Sequence, residues 1–195
     1  MKFNFKRAVF EFLSIVVAVI LAMSLTEMRQ NYLNKQLAEK SFSNIVDEIG
    51  ENRERLVRDS ARIAKDLEFI KQWIQDVRDD KTPEDFSSGF SLSFLNKAAM
   101  EVAQNNQSLS FISNERNIAI SGIYDTQAFY QEHGAKTFEI MGDMSSSIVN
   151  SKADELLPYV LRFRFHLGVV FNTVKAYLLE SDAFLNNDEL MPASD

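Results

Sequence analysis

Residues 42–77 decide the fold of this chain, and they read FSNIVDEIGENRERLVRDSARIAKDLEFIKQWIQDV. Large apolar residues recur there at a strict spacing of seven, namely Phe42, Ile49, Leu56, Ile63, Ile70 and Val77. Such a spacing is typical of an α-helix with one apolar face. Gly50 costs about 1 kcal/mol relative to Ala, but the pattern continues across it without a shift. We therefore predict one long helix from Met28 to about Asp79.

The second seam of this helix indicates what it packs against. Both seams of a strong parallel coiled coil are apolar. Here the second seam is polar at Asn52 and Arg53 and again at Asp59 and Ser60. This pattern favours packing on later helices of the same chain, with a coiled coil as the alternative. The predicted fold class is all-α, an antiparallel helical bundle built around the long helix.

Upstream, residues 8–27 form a predicted transmembrane helix that continues directly into the long helix. The stretch reads AVFEFLSIVVAVILAMSLTE, and no charge occurs between Phe12 and Leu25. Residues 8–26 give about 28 Å of helix, close to a hydrocarbon core of about 30 Å. A cleaved signal peptide, with a small-residue site at 22–24, and a core helix of a soluble protein are the alternatives. A retained anchor is preferred, because no polar linker separates the apolar run from the helix that follows.

The tail before this helix sets the predicted topology. Residues 1–7, MKFNFKR, carry Lys2, Lys6 and Arg7 and are predicted to be a basic cytoplasmic tail. Basic residues also follow the helix, so the charge bias is slight, but a short tail is most simply left on the cytoplasmic side. The prediction is a single-pass protein of the bacterial inner membrane with its C-terminal domain in the periplasm.

One face of the transmembrane helix is a candidate interaction surface. Ser14, Ala18 and Ala22 recur every four residues, and Glu11 lies on roughly the same face. Small residues at this spacing let helix backbones approach closely in lipid. A charged residue there is better placed against a partner than against lipid. The alternative is that Glu11 reaches the headgroups and the small residues simply face lipid.

The remainder, residues 28–186, is predicted to be a helical soluble domain, followed by a flexible tail at 187–195. Thr82 and Pro83 fit the start of a short helical turn, and 87–89 fit a turn. Further helices are predicted at about 93–104, 114–132 and 136–149, and from 152 or 158 to 185. The second of these is expected to stop at His133 and Gly134. Residues 161–167 alternate like a strand but lie in a breaker-poor region, so a helix is preferred.

Composition narrows the classes of function. The net charge is −7, which argues against a nucleic-acid partner, since phosphate binding requires a basic surface. There are no cysteines and only two histidines, His133 and His166. Neither a metal-binding motif nor a nucleotide or nucleophile motif occurs in the sequence. We therefore expect no cofactor, no metal and no catalytic residue.

Two stretches resemble a known group of proteins. The first is EFLSIVVAVILAMSLTEMRQN running into QLAEKSFSNIVDEIGENRERL, and the second is LNKAAMEVAQNNQSLSFISNERNIAISGIYDTQ. The matching positions of the second stretch are Ala98, Asn105, Asn106, Leu109, Ile123 and Tyr124. In these stretches the chain resembles an uncharacterised family of bacterial single-pass, N-terminally anchored membrane proteins. The resemblance implies a membrane-anchored protein of unknown function.

The expected function is that of a non-enzymatic accessory or scaffold protein. It would associate with itself or with another membrane protein through the transmembrane helix. The alternative is a ligand-binding, sensor-like helical domain that signals through a partner, because seven residues are too few for an output domain of its own. A membrane-tethered hydrolase is the third hypothesis, and no motif supports it.

Overall fold

The computed structural model describes residues 5–81, 86, 90–148 and 153–191, and this part of the chain is all-α, as predicted. Its elements are α1 (Phe5–Arg78), α2 (Ala98–Asn105), α3 (Asn114–Ile148) and α4 (Ala153–Leu185), with a 3₁₀ helix (Ser108–Phe111) between α2 and α3. No strand occurs among the described residues. The elements form a bundle in which α4 packs against both α1 and α3.

α1 is a single helix of 74 residues. It runs through Gly50 and has a length of about 110 Å at 1.5 Å per residue. The predicted continuity between the N-terminal apolar segment and the long helix is therefore confirmed. The helix ends where Asp80 adopts a left-handed conformation, with φ 54°. The backbone N–H of Lys81 then donates to the carbonyl of Asp76 at 2.9 Å, which is a helix-terminating arrangement.

The heptad residues of α1 form the core that the sequence predicts. Each of Phe42, Ile49, Leu56, Ile63 and Ile70 is completely buried. They meet a buried face of α4 that comprises Val160, Phe163, Leu167, Val170, Val174 and Tyr177. The chain's own helices thus occupy the apolar seam of α1, as the polar second seam suggests.

Contacts between the long helices fix their directions. The pairs are Arg116 with Glu39 and Tyr130 with Asp59 for α3, and Phe184 with Phe42 and Asp182 with Arg53 for α4. Residue numbers rise together along α1 and α3, so these helices are parallel. Residue numbers rise along α1 as they fall along α4, so these two helices are antiparallel. Residues 90–97, called the extended segment below, form no helix and contact both α1 and α3. α2 and the 3₁₀ helix follow this segment in the chain.

Two predicted helix boundaries are wrong, and both errors have a packing cause. The helix predicted at 93–104 begins only at Ala98, because side chains of α1 and α3 bind the backbone of the preceding residues. α3 does not stop at His133 and Gly134 but continues to Ile148. Gly134 has a packing role instead, because a Cβ added there would lie 2.8 Å from Cδ1 of Leu92.

Of the remaining predictions, some are confirmed and others concern residues that the structure does not describe. α4 covers Ala153–Leu185, including 161–167 and Pro158, so the helix preferred over a strand is confirmed. The predicted helical start at Thr82 and Pro83 and the turn at 87–89 lie outside the described residues. The first part of the predicted tail, 187–191, forms turns.

Candidate functional site

The predicted interaction face lies on the lower, N-terminal part of α1. Glu11, Ser14, Ala18 and Ala22 are all exposed there. At about 100° per residue they fall within an arc of about 80° around the helix axis, so they share one face. The Ser14 hydroxyl donates to the backbone carbonyl of Phe10 at 2.9 Å. Three of the four side chains on this face are therefore small, and the serine among them is already hydrogen-bonded within its own helix.

The apolar segment around this face is long and apolar enough to span a membrane. None of its most apolar 18-residue window is buried inside the protein. A core helix of a soluble protein would be covered by its neighbours, so that alternative for residues 8–27 is wrong. The domain begins to cover α1 only at Ala38, which is about 18 Å along the helix from Thr26.

The second seam of α1 holds a buried carboxylate, Asp59, which is completely inaccessible to solvent. One oxygen accepts from the backbone N–H of Ser93 at 2.7 Å and from the Tyr130 hydroxyl at 3.0 Å. The other oxygen accepts from the Ser93 hydroxyl at 3.0 Å and pairs with Arg62. The Tyr130 hydroxyl lies 3.1 Å from the carbonyl of Ser93. Asp59 thus anchors the extended segment to both α1 and α3.

One heptad below, Asn52 holds the same segment at its next contact and is also completely buried. Its side-chain oxygen accepts from the backbone N–H of Asn96 at 2.9 Å, and its amide donates to the carbonyl of Asn96 at 2.7 Å. Gln127 of α3 donates to that same carbonyl at 2.8 Å. The two side chains, which also contact each other at 3.3 Å, therefore satisfy the backbone N–H and carbonyl of Asn96 together.

Glu48 closes the network at the start of α2. It accepts from the backbone N–H of Ala99 at 2.9 Å and from the Tyr124 hydroxyl at 2.5 Å. Ala99 is in the first turn of α2, whose free N–H groups and positive end of the helix dipole favour a carboxylate. The side chain of the N-cap residue, Lys97, does not cap α2. Glu48 of α1 supplies the missing acceptor instead.

The buried network has the appearance of an acid–base cluster, but the chain's own backbone occupies its acceptors. Burial, together with the neighbouring carboxylates, raises the pKa of the Tyr124 and Tyr130 hydroxyls. Both tyrosines therefore stay protonated and act as donors. In the sequence, Asn52 and Asp59 stand out only as polar interruptions of a seam. Their heptad position, which predicts burial, was the available signal for a role in packing.

The two histidines lie in the bundle rather than at helix ends. His133 is inside α3, where its ring contacts that of Phe129 at a tilt of 49° with centroids 4.1 Å apart, so its predicted place at a helix end is wrong. His166 is half-buried on α4. Burial lowers the pKa of His166, and Arg162, His133 and Lys136 lower it further. No group of three or more metal-ligating side chains occurs among the described residues.

Two surface grooves could take a small ligand. A groove of about 650 Å³ lies between α1 and α4 and includes Leu67, Lys71, Arg164 and Phe165. A more apolar one of about 290 Å³ lies between the extended segment and α3, beside Phe94, Tyr130 and Phe138. Neither groove contains any residue of the predicted interaction face.

Comparison with known proteins finds no match to a family model, to a curated protein or to a solved structure. The resemblance to an uncharacterised bacterial membrane family therefore stays a prediction.

Proposed function

We propose that this chain is a membrane-anchored, non-enzymatic scaffold or accessory protein. Residues 8–27 cross the bacterial inner membrane with the N-terminus in the cytoplasm. The helical domain stands in the periplasm, and the anchor associates with a second copy or with another membrane protein. The uncharacterised bacterial single-pass family is the proposed family of the chain.

The observation that carries this proposal is the continuity of α1. The same helix presents an apolar segment that the other described residues leave uncovered and then supplies the core of the domain. An apolar stretch of this length is stable only in lipid or against another protein. Because no flexible linker interrupts the helix, the position of the domain is tied to the orientation of the anchor. Such coupling suits a protein that holds a partner at a fixed distance from the membrane.

The structural role of the buried polar residues supports the proposal that the protein is not an enzyme. Asp59, Asn52 and Glu48 all bind the backbone of the extended segment and of the first turn of α2. Their removal would be expected to loosen the fold rather than to abolish a reaction. The grooves keep the sensor-like hypothesis as the second candidate, because the larger has the volume of a small-molecule site. Stabilisation of the purified protein by a metabolite in a thermal-shift screen would favour that hypothesis.

The proposal is tested on the full-length chain extracted from bacterial membranes in mild detergent. We expect the protein in the alkali-resistant membrane fraction, and we expect it to co-purify with a second, differently tagged copy or with another membrane protein. Ala18→Leu places bulk on the interaction face and should reduce this association several-fold. The control Val16→Phe adds bulk on the far side of the helix, about 160° away, and should leave association unchanged. Recovery as a lone monomer, unaffected by Ala18→Leu, would refute the proposal.

A further inference from the structure

The lower part of α1 carries a longer seam than the small-residue face alone. Its members are separated alternately by three and four residues, and they are Glu11, Ser14, Ala18, Leu21, Leu25, Met28 and Tyr32. An average spacing of 3.5 residues is the repeat with which two helices supercoil around each other. The upper part of this seam consists of large apolar side chains, so it does not depend on the small residues.

This upper part is uncovered, and it extends beyond the membrane-spanning segment. Leu25 is 67% exposed, Met28 69% and Tyr32 62%. Met28 and Tyr32 follow residues 8–27, so the hydrocarbon core of the bilayer does not account for their apolar character. The seam ends at the next heptad position, Lys35, close to the point where the domain begins to pack on α1.

We infer that the occupant of this seam is a second copy of the same chain, bound in parallel from Glu11 to Tyr32. The inference rests on the proposed function and identifies the partner of the same helix. Two copies inserted in one membrane have the same direction and depth, so each seam residue meets its own counterpart in register. No further element of the chain is needed to align them.

The residues that flank the seam are compatible with this pairing. In a parallel pair they lie beside the apolar contact and face one another across it. They are Ile15, Val17, Ala22, Ser24, Arg29, Asn31 and Gln36. Arg29 is the single charged side chain among them, and its counterpart on the other helix is Ser24. No like charges therefore oppose each other among these flanking residues, and the two Glu11 side chains are the like charges that meet within the seam.

The domain leaves room for the second helix. The residues by which α1 enters the core, Ala38, Phe42 and Ile45, lie about 90° around the helix axis from Met28 and Tyr32. Each domain therefore extends to one side of its own helix rather than across the seam. The two domains of a pair stand beside the central helices and do not block their contact.

The absence of cysteine from the chain allows a direct test by disulfide cross-linking. Single substitutions Leu25→Cys and Met28→Cys place a thiol in the seam. The matched controls Met23→Cys and Gln30→Cys lie two residues away, on the far side at about 200°. Membranes from cells that express each full-length variant are oxidised with copper phenanthroline and analysed on non-reducing gels. We expect covalent dimers from the two seam variants at least five times as abundant as from their controls.

The outcomes separate this inference from the proposed function. Equal cross-linking of seam and control variants, or no cross-linking of either, overturns the pairing of two copies. If another membrane protein still co-purifies in that case, the scaffold function stands and the partner is different. If the chain is also recovered alone, both proposals fail. Loss of the dimer from Met28→Cys on adding Ala18→Leu, but not on adding Val16→Phe, would further support the continuous seam.

Discussion

The two halves of α1 use apolar residues in opposite ways. Between residues 9 and 37 large apolar side chains such as Leu21 and Leu25 are exposed on nearly every side of the helix. Between residues 38 and 78 a set of six large apolar side chains follows one face at seven-residue spacing, and five of them, from Phe42 to Ile70, are completely buried. The comparison teaches that the arrangement of apolar residues, more than their number, distinguishes an apolar surface that the domain leaves exposed from one that forms its core.

Polar residues differ between the halves in the same way. In the lower half, Ser14 and Thr26 are exposed and donate to carbonyls of their own helix. In the upper half, Asn52 and Asp59 are completely buried and bind a different segment of the chain. A buried polar group requires a partner, and here the partner is backbone that has no helix of its own to satisfy it.

The largest expected effect comes from a matched truncation in the two halves. Leu56→Ala removes a completely buried side chain and should lower the free energy of unfolding by about 3 kcal/mol, because it leaves a cavity. Leu25→Ala removes a side chain that is 67% exposed and should change the free energy of unfolding of the domain by less than about 0.5 kcal/mol. Denaturant unfolding of the full chain in detergent, followed by tryptophan fluorescence of Trp73, measures both.

A similar loss from Leu25→Ala would contradict the division of α1 into two halves. It would mean that the lower half contributes to the unfolding of the domain. Dilution series in detergent would then reveal whether an association of chains underlies the loss, since stability that depends on association varies with protein concentration.

The second expected effect concerns the buried carboxylate of the upper half. Asp59→Asn replaces an oxygen acceptor by an NH₂ group and removes the charge that pairs with Arg62, so it should destabilise the domain by about 2–3 kcal/mol. The control Asp47→Asn lies on the same helix at an exposed position and should have little effect. Limited proteolysis provides a local readout, because the variant should be cleaved first within residues 90–97. Uniform protection of that segment in Asp59→Asn would show that Asp59 does not hold it.

The sequence predicts the halves of α1 well and the buried network poorly, for a physical reason. Helical periodicity is local, so the core seam and the apolar segment are visible in the sequence itself. The backbone groups that Asp59 and Asn52 bind are 34 and 44 residues away in the chain, and backbone groups carry no residue-specific signal. Gly134 resembles a helix stop in the sequence for the same reason, since its role depends on contact with Leu92 from another segment.

A smaller effect is expected at Gly50, which lies within the upper half of α1. Gly50 is helical, and a Cβ added there would meet no atom within 4 Å. Gly50→Ala should therefore stabilise the domain by up to about 1 kcal/mol through helix propensity. The same unfolding measurement tests this, with Gly134→Ala as the contrasting variant, because its gain is offset by displacement of Leu92. Destabilisation by Gly50→Ala would indicate that the helix bends at this position.

The smallest expected effect is a pH response confined to the domain, since the lower half of α1 contains no histidine. Burial lowers the pKa of His166 in the folded chain below its ordinary value of 6.5. Below pH 6.5 the unfolded chain therefore binds a proton that the folded chain resists, and stability falls as the pH is lowered. Above that value the imidazole is neutral in both states and its contribution is constant. Melting temperatures at pH 7.5 and 5.5 should differ more for the unmodified chain than for His166→Gln, and an unchanged difference would assign the pH response to other groups.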